Sequence, residues 1–444
     1  MKYPSRRMTD RLADLYREHL AAVKRRHDAA LAATGFDAVV IFGGAIHIAF
    51  LDDEMYPFKA NPHFKSWVPV INNPHCFIVY RPGHTPRLVF FQPVDYWYKP
   101  PDAPSGAWTK FFDIRIIKEP GEAKQHFPKG RVAYIGEAHE AQGPDVNPKT
   151  LLDLLHWERA WKTDYEIECI WRANLKAVRG HRAAERAFRE GAAEYDIHID
   201  YLRASSQTEE ELPYHNIVAL NEHASVLHYV NHDREPVDPA RRHSFLIDAG
   251  ASVNGYASDI TRTYTNGDDE FRDLIAAMDE AQQSLCAAVK PGVPYPNIHA
   301  LAHRRVAELL VRFNFVRGID ADGVVETRIS STFLPHGVGH YLGLQVHDIG
   351  GHMADAHGST VTPPKEHPFL RLTRPIEPRN VFTIEPGFYF IDTLLAELQN
   401  SEQAKSIDWP RVDRFRKYGG VRIEDDLAVT ESGARNLTRE AFAS

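Results

Sequence analysis

The stretch that most constrains the fold is SFLIDAGASVNGYASDITRTY, residues 244–264. Two strand-like runs flank Asn254-Gly255, a dipeptide that favours a tight turn between antiparallel strands. A turn over residues 252–255 predicts that Asp248 faces Asp259, with their Cβ atoms about 5 Å apart. Carboxylates this close repel each other and need a shared proton or a cation. The alternative is that one aspartate is solvated on an exposed face, and the hairpin pattern alone leaves both interpretations open.

Two more carboxylates lie in apolar strand contexts. Glu385 follows the run VFTI, and Glu424 follows GVRI. A carboxylate in a half-buried strand is costly unless it is paired or binds a metal. For either glutamate alone, a buried ion pair is sufficient explanation. Arg422 lies two residues before Glu424, so it shares that face of a strand and is an available partner.

The segment HGVGHYLGLQVHD, residues 336–348, carries three histidines. Taken alone, it predicts a hydrogen-bonded loop. Together, four carboxylates and one imidazole form an oxygen-rich donor set that suits Mn²⁺, Co²⁺ or Zn²⁺. Four negative charges match two divalent ions, and a two-metal site can activate a bridging water and polarise a carbonyl. The remaining histidines would then be available for proton transfer.

The chain as a whole predicts two domains. An α/β domain is expected over residues 1–160, and its predicted elements are a helix at 9–33 and strands at 37–44, 75–80, 87–91 and 131–137. The aromatic-rich stretch 50–67 is expected to be an ordered loop.

An α+β domain is expected over residues 161–444. It should begin at a capping box formed by Thr163 and Glu166. Its predicted elements are helices up to about residue 200, strands at 216–221 and 226–231, helices at 271–289 and 297–313, and mostly strand beyond these.

Composition and charge indicate the cellular location of the protein and the classes of partner that are not expected. The net charge of the 444 residues is −8 and no long basic run occurs, so a nucleic acid partner is not expected. No apolar stretch of about 18 residues predicts a membrane span, and the N-terminus lacks the apolar region of a signal peptide. Three widely spaced cysteines suit a reducing compartment. These features predict a cytoplasmic protein without membrane attachment.

The residues described above resemble a known family. HGVGHYLGLQVHD, with Asp248, Asp259, Glu385 and Glu424 in order around it, closely resembles the pita-bread metallopeptidases, which include methionine aminopeptidase, aminopeptidase P and prolidase. The stretches 51–70 and 213–229 resemble the bacterial Xaa-Pro dipeptidase (prolidase) group. The resemblance implies a small α/β N-terminal domain and an α+β pita-bread (creatinase/aminopeptidase-like) C-terminal domain.

The resemblance also implies a ligand set. Asp248 would bind one ion, Asp259 and Glu424 would bridge both, and His340 and Glu385 would bind the other. The cofactors would be two divalent ions, Mn²⁺ first, with Co²⁺ or Zn²⁺ as alternatives. The expected nucleophile is a hydroxide that bridges the metals, with Glu385 as its general base.

The implied reaction is the hydrolysis of Xaa-Pro dipeptides with a free carboxylate. His228 and His347 would act in catalysis, and the predicted substrate-binding residues are Arg371, Arg422, His336 and Tyr214. Asp52 or Asp53 would contact the substrate amine. The family resemblance further implies a homodimer or a dimer of dimers.

Several alternatives follow from the same resemblance. The closest is an aminopeptidase P acting on longer Xaa-Pro peptides. A catalytically inactive binding protein and a metal-free creatinase-like enzyme share the fold, but the retention of all five ligand positions argues against both. A side activity on organophosphorus triesters and fluoridates is also expected, as in the organophosphorus acid anhydrolases.

Overall fold

A computed structural model describes residues 6–139, 145–267 and 270–444. The protein divides into two compact units. The first runs to Cys169 and includes the short segments Asn254–Tyr256 and Ala354–Ser359, while the remaining residues form the second. The predicted combination of an α/β unit and an α+β unit is confirmed.

The first unit contains one mixed β-sheet with helices. Its elements are α1 (Arg6–Thr34), β1 (Ala38–Phe42), α2 (Pro62–Lys65), β2 (Phe77–Tyr80), β3 (Arg87–Phe91), β4 (Asp113–Ile117), β5 (Val132–Ile135), β6 (Asp145–Val146) and α3 (Lys149–Glu158). The strand order is β4-β3-β2-β1-β5-β6. The central strand β1 is buried along its whole length, which explains its unbroken apolar sequence AVVIF.

Predictions for this unit agree with the structure in its main elements. The hairpin of β2 and β3 is present and antiparallel, with Phe77 opposite Val89. A helix occupies the predicted position of α1, and the stretch 50–67 is mostly loop with the single turn of α2. The capping box also forms: the Thr163 amide donates to Glu166 Oε2 at 2.8 Å, and the Glu166 amide donates to Thr163 Oγ1 at 3.4 Å.

The second unit combines short antiparallel strands with helices. Its elements are α4 (Asp164–Glu190, which begins in the first unit), α5 (Glu194–Ser205), β7 (Ile217–Leu220), β8 (Ser244–Asp248), β9 (Ser252–Val253), β10 (Tyr256–Ala257), β11 (Thr261–Thr265), α6 (Glu270–Ala288), α7 (Tyr295–Arg312), α8 (Ala321–Glu326), α9 (Ile329–Phe333), β12 (Val381–Ile384), β13 (Gly387–Tyr389), α10 (Asp392–Gln399), α11 (Trp409–Arg416), β14 (Gly420–Arg422), β15 (Asp425–Val429), β16 (Ala434–Asn436) and α12 (Leu437–Ala443).

Two antiparallel three-stranded sheets support the candidate site, with strand orders β11-β8-β7 and β12-β15-β16. A bridge between Thr261 and Glu424 joins the start of β11 to the segment before β15. Aromatic and aliphatic side chains of β7, β8, α4 and α5 form a core beneath the first sheet, including Phe188, Tyr201 and Phe245. The carboxylates discussed below lie at strand ends, where strand pairing stops and side chains can converge.

Two predictions about this unit are wrong. Residues 226–231 form no strand; they follow a 3₁₀ turn at Asn221–Ser225 and remain a loop. The chain beyond residue 313 contains more helix than expected, in α8 to α12. None of the described helices is both long and apolar enough to cross a membrane.

Candidate metal centre and active site

A single cavity of about 600 Å³ in the second unit gathers the residues selected from the sequence. Eleven of them line it: Tyr214, His228, Asp248, Asp259, His336, His340, His347, Arg371, Glu385, Arg422 and Glu424. They come from strand ends and loops far apart in the chain, so their convergence is a property of the fold. Asp52 and Asp53 are exposed residues of the first unit.

The hairpin at residues 244–265 forms, but its register differs from the predicted one. Asp248 lies opposite Thr261, not Asp259. Asn254 and Gly255 both have positive φ, 52° and 85°, as the central residues of a two-residue type I′ turn require. The prediction assumed four turn residues, and a two-residue turn moves the pairing by two positions.

The two aspartates still share a face, because a shift of two residues preserves the alternation of side chains. Tyr214 connects them: its hydroxyl lies 2.8 Å from Asp248 Oδ1 and 2.5 Å from Asp259 Oδ1. The Asp259 amide donates to Asp426 Oδ2 at 3.1 Å, which fixes the backbone at the position where β11 has not yet begun.

The HGVGH segment pairs with the backbone leading to Glu385. The Thr383 amide donates to the His340 carbonyl at 3.0 Å, and the Glu385 amide donates to the Val338 carbonyl at 2.8 Å. A Cβ on Gly339 would lie 2.0 Å from the Thr383 carbonyl oxygen, so this position requires glycine. The close approach of Gly339 to this strand brings His340 and Glu385 together.

His340 lies among the carboxylates. Its Nε2 atom is 3.4 Å from Asp259 Oδ2 and 3.6 Å from Glu385 Oε1. Asp259, His340 and Glu424 each offer one ligand atom, and these atoms lie within 4.8 Å of one another. All three residues are buried. This arrangement could hold a metal ion.

The buried guanidinium of Arg422 faces the carboxylates from inside the protein. Arg422 Nη2 lies 2.6 Å from Asp248 Oδ2, and Nη1 donates to the Tyr389 hydroxyl at 2.8 Å. Arg422 thus pairs with Asp248, although the sequence suggested Glu424 as its partner. Glu424 accepts a hydrogen bond from Thr261 Oγ1 at 2.6 Å instead.

The protein atoms alone leave this cluster rich in negative charge. Burial raises the pKa of Asp259 and of Glu424, and neighbouring carboxylates raise both further. Burial likewise raises the pKa of Glu385 to about 7. Burial opposes a charge on His340, but the Asp259 carboxylate raises its pKa. A bound cation would reverse these shifts by favouring the ionised carboxylates.

The other predicted residues also line the cavity. His336 Nε2 lies 2.9 Å from the Tyr389 hydroxyl, and the His347 ring packs edge-on against His340 at 4.4 Å between centroids. His228, His347 and Arg371 are exposed to the cavity.

Sequence reasoning missed the residues that position the donors. Thr261 and Asp426 hold Glu424 and Asp259, as described, and Tyr389 supports both Arg422 and His336. Glu194, which is buried, holds the loop that carries His228. Its carboxylate accepts hydrogen bonds from the Leu220 amide, His223 Nδ1, the Tyr229 hydroxyl and the Asp233 amide, all at 2.7–2.8 Å. The DD pair after Glu424 was the one available signal for Asp426.

Comparison with known proteins agrees with this geometry. Residues 168–431 match the model of metallopeptidase family M24, and residues 14–157 match that of the Xaa-Pro dipeptidase N-terminal domain. The chain therefore belongs to the M24 metallopeptidases, and the predicted family is confirmed. Membership implies that the protein is an enzyme that uses divalent metal ions.

Particular relatives carry a more specific name. Curated Xaa-Pro dipeptidases from Pseudoalteromonas atlantica and Stenotrophomonas maltophilia are 48% and 50% identical to this chain, over 97% of it and 98% of each relative. Among solved structures, aminopeptidase P from E. coli with the inhibitor Pro-Leu matches with a TM-score of 0.71 at 23% identity, covering 96% of this chain and 97% of that one. The structural match supports the fold.

Proposed function

We propose that this enzyme is a Xaa-Pro dipeptidase that uses two divalent metal ions. The observation that carries the proposal is the convergence of five side chains among the residues that line the cavity: Asp248, Asp259, His340, Glu385 and Glu424. The names of the curated relatives, which match over nearly the whole chain, support the choice of substrate.

The donor set fits two divalent ions. Four carboxylates line the cavity beside the buried guanidinium of Arg422. Burial raises the pKa of three of these carboxylates. Buried carboxylates require pairing or a metal. Oxygen donors with one imidazole suit Mn²⁺, Co²⁺ or Zn²⁺, and we propose Mn²⁺ as the native ion. Asp259 and Glu424 are the proposed bridging ligands.

When bound, the metal ions supply Lewis acidity that activates water at neutral pH and polarises the scissile carbonyl. Glu385, next to the cavity, is the proposed proton acceptor. His228 and His347 face the same space from the rim, where they can donate a hydrogen bond to the carbonyl oxygen or a proton to the departing nitrogen. His336 and Tyr214 are proposed to shape the floor of the substrate site.

The cavity provides groups that can recognise both ends of a short substrate. Arg371, exposed to the cavity, is the proposed partner of the terminal carboxylate, which a guanidinium binds through two parallel hydrogen bonds. Arg422 is already paired with Asp248, so its proposed contribution is to hold that carboxylate beside the substrate. The proline nitrogen carries no N–H and its ring fixes φ, which explains why a dedicated site is needed.

The proposal also covers the location of the enzyme, its oligomeric state and a side activity. Three cysteines without disulfides, Cys76, Cys169 and Cys286, support a cytoplasmic location. A homodimer, or a dimer of dimers, and turnover of organophosphorus esters stay predictions. An aminopeptidase P acting on longer peptides is the competing function, and the fold is common to both.

A metal-reconstitution assay tests the proposed function. The full chain is stripped with a chelator and assayed on Gly-Pro, Ala-Pro and Leu-Pro, with Mn²⁺, Co²⁺ or Zn²⁺ added back singly. We expect no turnover without metal, recovery with Mn²⁺, and no recovery in Asp259→Asn. Full activity of the stripped chain, or of Asp259→Asn, would refute the proposed metal centre. Failure of the reconstituted wild type on every Xaa-Pro dipeptide would refute the proposed substrate.

A further inference from the structure

A cluster of three histidines lies apart from the carboxylate centre, beside a second cavity of about 420 Å³. His299 and His303 are one helical turn apart on α7, so their side chains share a face of the helix. His367 approaches from the loop that precedes Arg371. Its ring centroid lies 4.4 Å from those of both other histidines.

The geometry of the two helical histidines matches a tetrahedral metal site. Their Nε2 atoms lie 3.2 Å apart. A tetrahedral ion with metal–nitrogen bonds of about 2.05 Å holds adjacent nitrogen ligands about 3.3 Å apart. One ring nitrogen from each of the three histidines lies within 4.8 Å of the other two, so a small rotation of the loop histidine completes three corners.

The surroundings also suit a ligand role. His303 Nδ1 lies 3.1 Å from Ser330 Oγ, the kind of contact that orients a metal-binding imidazole. His299 Nδ1 is buried and has no hydrogen-bond partner among the described residues, so protein atoms alone leave this cluster unsatisfied. Burial lowers the pKa of His299 to about 2 and of His303 to about 3, which keeps both rings neutral.

Charged groups around the second cavity are Glu366, Glu397 and Arg328. The formal charge of these three side chains is −1, although the Arg328 guanidinium disfavours positive charge at His303 and His367. The cavity meets the active site only at residues that line both, Pro335, His336 and Phe369. The nitrogens of His336 are already engaged with the Gly337 carbonyl and the Tyr389 hydroxyl, so it separates the two clusters.

We propose that His299, His303 and His367 form a separate mononuclear site that binds Zn²⁺, with the fourth position open to the second cavity. Three imidazoles select a borderline ion such as Zn²⁺ over Mn²⁺, which prefers oxygen donors. Because the ligands come from α7 and from the loop leading to Arg371, the bound ion would tie that loop to the helix.

Zinc stoichiometry tests this site. The stripped full chain is dialysed against micromolar free Zn²⁺, and zinc per chain is measured by mass spectrometry. We expect His303→Gln and His367→Gln each to hold one equivalent less than the wild type, while His84→Gln, at an exposed turn, holds as much as the wild type. His367 lies in a loop and is only partly buried, so its variant keeps the test valid if His303→Gln fails to fold.

A double variant distinguishes a failure of the histidine site from a failure of the proposed function. Asp259→Asn combined with Glu424→Gln disables the carboxylate centre and should still bind one zinc, with histidine scattering in its X-ray absorption spectrum. Equal zinc content in the wild type, His303→Gln and His367→Gln would overturn the histidine site, whatever the dipeptidase assay gives. If the double variant has no dipeptidase activity but still binds one zinc, the histidine site is supported.

Discussion

Arg422 Nη2 lies 2.6 Å from Oδ2 of Asp248, with both side chains largely buried. Removing one partner of a buried ion pair leaves an uncompensated charge and costs about 3–5 kcal/mol. Arg422→Gln should therefore lower the free energy of unfolding of the metal-free chain by about that amount, measured by urea denaturation. The matched control is Arg435→Gln, because the Arg435–Glu440 pair is exposed and such pairs contribute about 0–1 kcal/mol. Equal losses in the two variants would contradict a buried pair.

Arg371 should govern the preference for dipeptides. A tripeptide moves the terminal carboxylate about 3.5 Å further along an extended chain, away from the guanidinium. Because a hydrogen bond to a charged group contributes about 1.5–3 kcal/mol, Arg371→Ala should raise KM for Ala-Pro about 10- to 100-fold. Its effect on an Ala-Pro-Ala tripeptide should be small.

The control for this prediction is Arg414→Ala, at an exposed arginine outside the cavity. It should change neither KM. If the wild type cleaves the tripeptide as fast as the dipeptide, the carboxylate contact is wrong and aminopeptidase P becomes the better description.

His228 and His347 should affect turnover without affecting metal content. Each lines the cavity, and loss of one proton-transfer or carbonyl-binding group costs about 10²- to 10⁴-fold in kcat. His228→Ala and His347→Ala should show this loss with Mn²⁺ stoichiometry unchanged. A variant that loses metal in proportion to activity would instead place that histidine among the ligands, and one with wild-type kcat would have no catalytic role.

Gly339→Ala should damage the site through the backbone. The new Cβ would lie 2.0 Å from the Thr383 carbonyl oxygen and 2.4 Å from the Tyr295 hydroxyl, so the pairing that joins His340 to Glu385 has to open. We expect loss of metal binding together with a lower Tm. Gly433→Ala is the control, since its nearest neighbouring atom is 4.0 Å away. A fully active Gly339→Ala enzyme would show that this pairing is dispensable.

The Glu194–His223 pair should make the His228 loop sensitive to pH. The hydrogen bond that His223 donates to Glu194 raises the pKa of His223, so its contribution is complete below the ordinary value of 6.5 and is lost as pH rises through the folded value. Burial opposes the charge on Glu194, but its four hydrogen bonds lower the pKa. Its contribution is therefore complete above the ordinary value of 4.5 and is lost as pH falls through the folded value.

The Tm difference between the wild type and His223→Gln should consequently be largest between about pH 4.5 and 6.5. Thermal unfolding across pH 4–9 provides the measurement. A difference that grows above pH 8 would contradict the assigned direction.

The sequence predicted those parts of the fold and of the site that depend on residues close together in the chain. The run AVVIF and the hairpin of β2 and β3 follow from apolar patterning, and the order of the five proposed donors follows from their motifs. The register of the β8–β11 hairpin was missed because Asn254-Gly255 permits either a two-residue or a longer turn. Only the surrounding backbone decides between them.

Long-range contacts account for the other differences. Residues 226–231 have the composition of a strand, yet Glu194, which lies 35 residues before Tyr229 and 39 before Asp233, binds both and holds the segment as a loop. Likewise, nothing in the sequence near Arg422 indicates that it pairs with Asp248. Contacts of this kind depend on tertiary structure, which periodicity does not encode.

The five proposed donors come from segments that the ribosome makes at very different times, from Asp248 to Glu424 near the C-terminus. Glu424 is positioned only when its segment joins the start of β11 through Thr261. A nascent chain stalled just before that segment would hold four of the five proposed donors and would lack Glu424, one of the two proposed bridging ligands. We therefore expect metal binding to come late in biosynthesis, after the segment that carries Glu424 has been made and has reached Thr261.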